Sequence, residues 1–313
     1  MVELLEAVDA ISAGFTQAGC EAAIHVRALS SGAELGIRPD DSVVTASVFK
    51  PLVALEFYAQ VEAGEFDPAE LIEMKPGFVT PGPTGISRFL HPASVSLLDL
   101  AYLMLTVSDN AATDIIIRTV GLPRVNERAR ACGCEATVIE SDLQTMLDGM
   151  AAEMGSPSYP ELLKAQSGAL GEEARLRSTD ASRLDSVAAL DPRRTIRTTA
   201  RDMTTFLFAV WADTAGPPKA CRSLRSVMSQ QVGRRLEPAV PDGGRLAAKS
   251  GSLFGRIRNE IAVITYPDGE NYAVAVFTRA HRPYVQAAEI ISEMGRGVHN
   301  AIQCVRARQS AQL

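Results

Sequence analysis

The sequence predicts an α+β protein: one antiparallel sheet built from strands near both ends of the chain, flanked by the terminal helices, with an all-helical lobe inserted between them. Three observations predict it. Strand-type alternation is confined to two regions, about residues 21–39 and 244–279. Helical spacing of apolar residues fills the middle. A further helical pattern stands at each end. The expected division is therefore an α/β lobe of residues 1–46 and 219–313 and a helical lobe of residues 47–218.

The first helix rests on Leu4, Val8, Ile11 and Phe15 at helical spacing. In the segment Glu21 to Leu29, Ala23, His25 and Arg27 alternate against Ile24, Val26 and Ala28, a strand. Ser30, Ser31 and Gly32 turn it into a second strand, which Pro39 ends. A helix runs from about Ser47 or Val48 to Gly64; Pro51 fits its first turn, where a missing N–H costs nothing. Residues 65–95, rich in Pro and Gly, read as loop. Ser94 or Ser96 is placed to cap a helix reaching Ser108, and another runs from Asn110 to Gly121. Residues 124–150 read as helical with a break at Cys132-Gly133-Cys134, and Thr198 or Thr199 caps a helix to Asp213. After Pro217-Pro218 and a short helix come three strands, the last two joined at Pro267-Asp268-Gly269, and a final helix from about Arg282 to Arg306.

Composition limits function. Hydrophobic residues are 46% and charged residues 22% of the 313, a folded-domain balance that excludes a disordered chain. The net charge of −6 removes the electrostatic driver of nucleic-acid binding. No apolar stretch is long enough to span a membrane. Glu3, Glu6 and Asp9 stand where an export signal carries cations, so the expected location is cytoplasmic as the chain is given, and periplasmic or secreted if a signal has been removed. Five cysteines in irregular spacing do not make a disulfide framework, and Cys132 and Cys134 lack a second pair with zinc spacing, so no metal and no cofactor are expected. The expected partner is a small-molecule substrate, and the oligomeric state is left open.

The chain lacks G-x-S-x-G, G-x-x-x-x-G-K, H-E-x-x-H and G-x-G-x-x-G, and its four histidines stand apart from any nucleophile motif. Three other motifs stand out. Ser47-Val48-Phe49-Lys50 places a hydroxyl and an amine at i and i+3 of a helix start, on one face. A serine needs a base to become a nucleophile, and a lysine serves once burial or a nearby cation lowers its pKa. Ser108-Asp109-Asn110 offers a second hydroxyl for proton transfer and an amide for a substrate carbonyl or for orienting the lysine. Lys249-Ser250-Gly251-Ser252, on a strand, offers a cation and hydroxyls for a carboxylate, and a glycine against which substrate can lie. Backbone N–H groups of the nucleophile and of Ser252 would form an oxyanion hole. Taken singly, each motif is weak, since turns and caps use the same residues.

In this order, on these elements, the three resemble the class A β-lactamase-like serine hydrolases, within the β-lactamase and penicillin-binding protein superfamily. The resemblance is close from about Glu21 to Gly121 and from Arg245 onward. It implies a β-lactamase-like fold and catalytic roles for Ser47 as acylated nucleophile, Lys50 as base or relay, Ser108 as proton donor to the leaving nitrogen and Lys249 as its electrostatic neighbour. It implies that Asn110, Ser250, Gly251, Ser252 and Arg258 bind substrate, Arg258 and the hydroxyls taking a carboxylate. The implied activity is hydrolysis of β-lactams through an acyl-enzyme.

One departure stands against that activity. Family members that hydrolyse β-lactams carry a Glu-x-x-Leu-Asn segment whose glutamate activates the deacylating water, and this chain has none. Thr137 to Gln144 resembles the start of that loop, with Leu143 where the glutamate should be. Glu140 and Asp142 are the expected substitutes, with Glu153, Glu161, Asp180 and Asp185 behind them. Residues of about 145–185 read as an insertion relative to the family. The alternatives are therefore an esterase, amidase or D-amino-acid peptidase on the same machinery, or an acyl-trapping or ligand-sensing protein.

Overall fold

The computed structural model describes residues 2–165, 181–283 and 286–310. From the N-terminus, helix α1 (Val2–Gln17) leads into strands β1 (Cys20–Ala28) and β2 (Glu34–Ile37). Strand β3 (Val43–Val44) and a 3-10 turn (Ala46–Phe49) precede helix α2 (Lys50–Glu62). A short ribbon, β4 (Leu71–Met74) with β5 (Ala93–Ser96), is followed by α3 (Leu97–Thr106), α4 (Asn110–Val120) and α5 (Leu122–Ala131). Then come α6 (Leu143–Glu153), α7 (Tyr159–Ala165) and α8 (Ala181–Ser186). Strand β6 (Arg197–Thr198), α9 (Ala200–Trp211) and α10 (Pro218–Met228) lead back to β7 (Arg245–Leu253), β8 (Ile257–Thr265), β9 (Asn271–Ala280) and α11 (Ala287–Ser310).

The α+β architecture is as the sequence predicts. The strands form one antiparallel sheet in the order β2-β1-β9-β8-β7, so the two ends of the chain meet where β1 pairs with β9, Ile24 opposite Val276. Strand β7 is an edge. Helices α1 and α11 pack together on one face and enclose a core with Ile24, Val274 and Ile302. The other face meets α9 and the helical lobe, whose core contains α2, α3 and α4; α10 packs against α2 and contributes Cys221 and Leu224 to that core.

Capping chemistry sets the helix ends. Ser96 Oγ accepts from Asp99 N, Asp109 from Ala112 N and Thr199 from Asp202 N. Gly121, at φ 83°, ends α4 in a conformation L side chains rarely adopt. From Lys50 to Gln60, α2 is buried on all sides, so it is a core axis rather than an amphipathic surface helix. Its one buried acid, Glu56, is held by Arg124 and Arg128. Lys50 therefore opens a helix whose first eleven residues are all buried.

Four expectations change. Residues 65–95 are not all loop: Leu71 to Met74 pair with Ala93 to Ser96, and Gly85–Arg88 is a 3-10 turn. Four-residue strands are too short to leave a periodic signature. The break after α5 extends to Asp142, and the last helix starts at Ala287 and runs to Ser310. Ser47 lies in a 3-10 turn, with the α-helix proper starting at Lys50. Strand β1 forms as expected, but it is covered on both faces, so its alternation carries a buried histidine. His25 is 1% exposed, with Nδ1 at 2.6 Å from Thr204 Oγ1 on α9.

Burial, and then the Arg201 guanidinium, pushes His25 from 6.5 down to about 4. The unfolded chain therefore binds this proton first, and the stability His25 contributes is complete above pH 6.5 and lost as pH falls toward about 4. In thermal melts against pH, the melting temperature of the wild type is expected to fall more steeply across that window than that of His25→Gln. Parallel curves would contradict this assignment.

Candidate active site

The site forms where the start of α2, the turn between α3 and α4, and the edge strand β7 converge. Lys50 is fully buried. Its Nζ donates to Ser108 O at 2.8 Å, Asn110 Oδ1 at 3.1 Å and Ser108 Oγ at 3.3 Å. Three acceptors match the three N–H groups of an ammonium; loss of one proton creates a lone pair. Burial drives the amine down to about 7, against the pull of Asp109 and Asp114. A lysine poised there works as a base near neutral pH.

Two residues beside these groups hold left-handed backbone without being glycine: Ala46 (φ 46°), just before Ser47, and Ser108 (φ 61°). Such conformations cost about 1–3 kcal/mol each and persist only where packing enforces them. Asp109 does so next to Ser108: buried, it accepts from Ile86 N, Ser87 Oγ and Ala112 N, tying the turn to the 3-10 segment. Asn110 donates its amide to Pro81 O, so both ends of its side chain are engaged.

Strand β7 passes close against the backbone of Ser47. A Cβ on Gly251 would sit 2.7 Å from Ser47 N and 3.1 Å from Thr45 O, so only glycine fits without displacement. Ser250 N points to the free edge of the sheet, where Gln231 Oε1 accepts it at 2.9 Å. Two residues on, Ser252 N faces the same way by strand alternation, toward the cleft that Ser47 and Ser252 both line. Lys249 is fully buried, donates to Ser250 O, and is held well below its usual pKa by burial and by the nearby charge of Lys50.

Two residues of this site escaped the sequence reading. Gln231 clamps Ser250 through both its N–H and its hydroxyl, the latter at 2.7 Å from Nε2. Arg235 donates to Gly251 O at 2.8 Å, Asn259 O at 2.7 Å and Ser252 Oγ at 2.5 Å. Both come from the coil between α10 and β7, which carries no motif. Arg258 lies opposite Ser252 across the β7–β8 ladder and donates to Gly255 O.

Among the described residues, the candidate deacylation carboxylates do not line the cleft beside Ser47. Glu140 is ion-paired with Arg197. Asp142 caps α6 through Thr145 N and lies 3.9 Å from Arg118. Glu153 holds Ala188 N and Arg194, and Asp185 pairs with Arg256 and Arg279. Glu161 is exposed, and Asp180 lies outside the described residues, as do residues 166–180 of the suggested insertion. The small cleft beside Ser47, about 60 Å³, is instead walled by Leu143, Met146 and Leu147, with Asn110, Ile196 and Ser252 around it. Buried Asp114 fixes this wall. It accepts from Leu143 N and Gln144 N at 2.8 Å each and from Thr80 Oγ1 at 2.6 Å.

Cys132 and Cys134 are both buried, and burial pushes their thiols up, Cys132 to about 11. That is the behaviour of packed thiols rather than reactive ones. Among the described residues no cluster of three His, Cys, Asp or Glu is placed to hold a metal, and no helix is long and apolar enough to cross a membrane.

A sequence model of the Beta-lactamase enzyme family matches residues 4–302. The Beta-lactamase regulatory protein BlaB of Streptomyces cacaoi is 32% identical over 294 residues, 90% of each chain. Among solved structures, a beta-lactamase from Sphaerobacter thermophilus superposes with a TM-score of 0.74 at 22% identity, covering 96% of this chain and 98% of that one. A leucine-to-glutamate variant of PBP-A, solved as an acyl-enzyme complex with penicillin G, superposes with a TM-score of 0.71 at 22% identity, covering 96% and 97%.

Proposed function

Because the chain belongs to the Beta-lactamase enzyme family, we propose that it is an acylating serine enzyme, one that opens β-lactams and related carboxylate-bearing amides at Ser47 and releases the acyl group slowly. Lys50, buried and close to neutral pKa, takes the proton of Ser47 Oγ as it attacks the carbonyl. The developing oxyanion lies between the N–H groups of Ser47 and Ser252. Ser108, hydrogen-bonded to Lys50, relays the proton to the departing nitrogen. Lys249, Ser250 and Ser252, with Arg235 and Arg258 beside Ser252, receive the substrate carboxylate, and Asn110 contacts the substrate amide.

The observation that carries the slow step is the wall of Leu143, Met146 and Leu147 beside Ser47. Acylation needs only the lysine relay. Deacylation needs a water polarised by a base on the other side of the ester, and an apolar wall supplies none. This favours a penicillin-binding role over efficient hydrolysis. A sensing role, in which acylation is itself the signal, is supported by the regulatory relative.

The test is intact-protein mass spectrometry after exposure to benzylpenicillin. A single covalent increment is expected on the wild type and none on Ser47→Ala. An increment that survives in Ser47→Ala would overturn the assignment of the nucleophile.

A further inference from the structure

Beneath the carboxylate-binding end of β7 lies an acid that the mechanism above does not use. Glu260 on β8 is fully buried, directly across the ladder from Ser250. Its Oε2 accepts from the backbone N–H groups of Arg235 at 2.5 Å and Leu236 at 3.1 Å. Among the described residues its Oε1, buried, has no hydrogen-bond partner. An unpaired buried carboxylate oxygen is costly, and native proteins keep few of them. The same Arg235 whose N–H is held by Glu260 reaches with its guanidinium to Gly251 O, Asn259 O and Ser252 Oγ. One acid therefore fixes the turn from which the arginine reaches the substrate strand.

The charged surroundings are lopsided. Lys249 on β7 and Arg235 on the incoming coil act on Glu260, and Arg258 stands two residues away on its own strand and acts on Arg235. Strand β9 presents Val276 opposite Glu260, and on α11 the buried acid, Glu293, is ion-paired with Arg296. Glu260 is thus the acid set against three cations. We propose that Glu260 is a positioning and specificity-determining residue for the substrate carboxylate: it holds the Arg235 turn against β7, and the presence or absence of its proton sets the net charge that Lys249, Arg235 and Arg258 offer an anionic substrate. Protonated, it leaves the cations uncompensated and the carboxylate binds well. Ionised, it competes with that carboxylate. Burial pushes its carboxyl up to about 7, so both forms are populated near neutral pH. By linkage, binding of an anionic substrate and uptake of this proton favour each other.

The inference rests on Ser47 being the acylated nucleophile, and the experiment separates the two claims. Second-order acylation of the full chain is measured from about pH 5 to about pH 9 with benzylpenicillin, which carries a carboxylate, and with p-nitrophenyl acetate, which carries none. Titration of Lys50 affects both probes and cancels in their ratio. In the wild type the ratio of penicillin to ester is expected to fall about tenfold across neutrality. In Glu260→Gln, whose amide oxygen can still accept both N–H groups, the ratio is expected to stay at its low-pH value throughout. A flat wild-type ratio overturns the proposal without need of any variant. So does a fall that persists in Glu260→Gln or moves to lower pH, since that identifies Lys249 as the titrating group. Failure of both probes to modify Ser47 would instead overturn the reading of the nucleophile.

Discussion

Leu143→Glu is expected to shorten the lifetime of the acyl-Ser47 adduct by about 10²-fold or more, the scale on which a positioned general base accelerates attack by water. Leu143 is the first residue of α6, its N–H is fixed by Asp114, and its side chain forms the cleft wall with Met146 and Leu147. A carboxylate there stands in the wall of the cleft that Ser47 lines. The apolar wall raises its pKa toward the range where a base operates. The formation rate of the adduct should change far less, because the Lys50, Ser108 and Asn110 contacts are untouched. Stopped-flow acylation followed by mass-spectrometric decay separates the two rates. Equal lifetimes in variant and wild type would mean that the wall does not control deacylation.

Replacing Lys50 by Met should lower acylation of Ser47 by about 10³-fold, within the range that general-base catalysis contributes. Methionine keeps the length and fills the buried space, so the fold is expected to hold. It leaves Ser108 O and Asn110 Oδ1 without their buried donor, a cost to stability but not to the nucleophile's position. The pH dependence gives the sign. Lys50 acts as a base only when neutral, and its amine is lowered to about 7. Acylation of the wild type by p-nitrophenyl acetate, which carries no carboxylate, should therefore rise with pH, pass half its limit near 7 and level off above it, whereas Lys50→Met should show no such limb. A limb retained in the variant would assign the base elsewhere.

Much of this arrangement is legible in the sequence because it is local. The i, i+3 pair Ser47 and Lys50, the turn Ser108 to Asn110 and the run Lys249 to Ser252 each declare themselves within four residues, and their order on helix, turn and strand points to the fold. Leu143 in the place of an expected glutamate is readable for the same reason. What is not readable depends on partners distant in the chain. Arg235 and Gln231 lie in a coil with no pattern, and only the meeting of that coil with β7 gives them work. Glu140 reads as a candidate base, and a salt bridge to Arg197, 57 residues away, occupies it. His25 alternates like a solvent-facing residue until α9 closes over it. The β4–β5 ribbon likewise joins segments separated by a long, proline-rich connection.

Acylation at Ser47 is thus expected to be intact while release is slow. The most direct measurement follows the intact mass of the wild-type protein after a stoichiometric pulse of benzylpenicillin, with free product assayed alongside. One penicilloyl increment on Ser47 is expected to persist long after the free antibiotic is consumed, with far less than one equivalent of free hydrolysed penicillin released over that time. Rapid accumulation of hydrolysed penicillin with no persisting increment would contradict it.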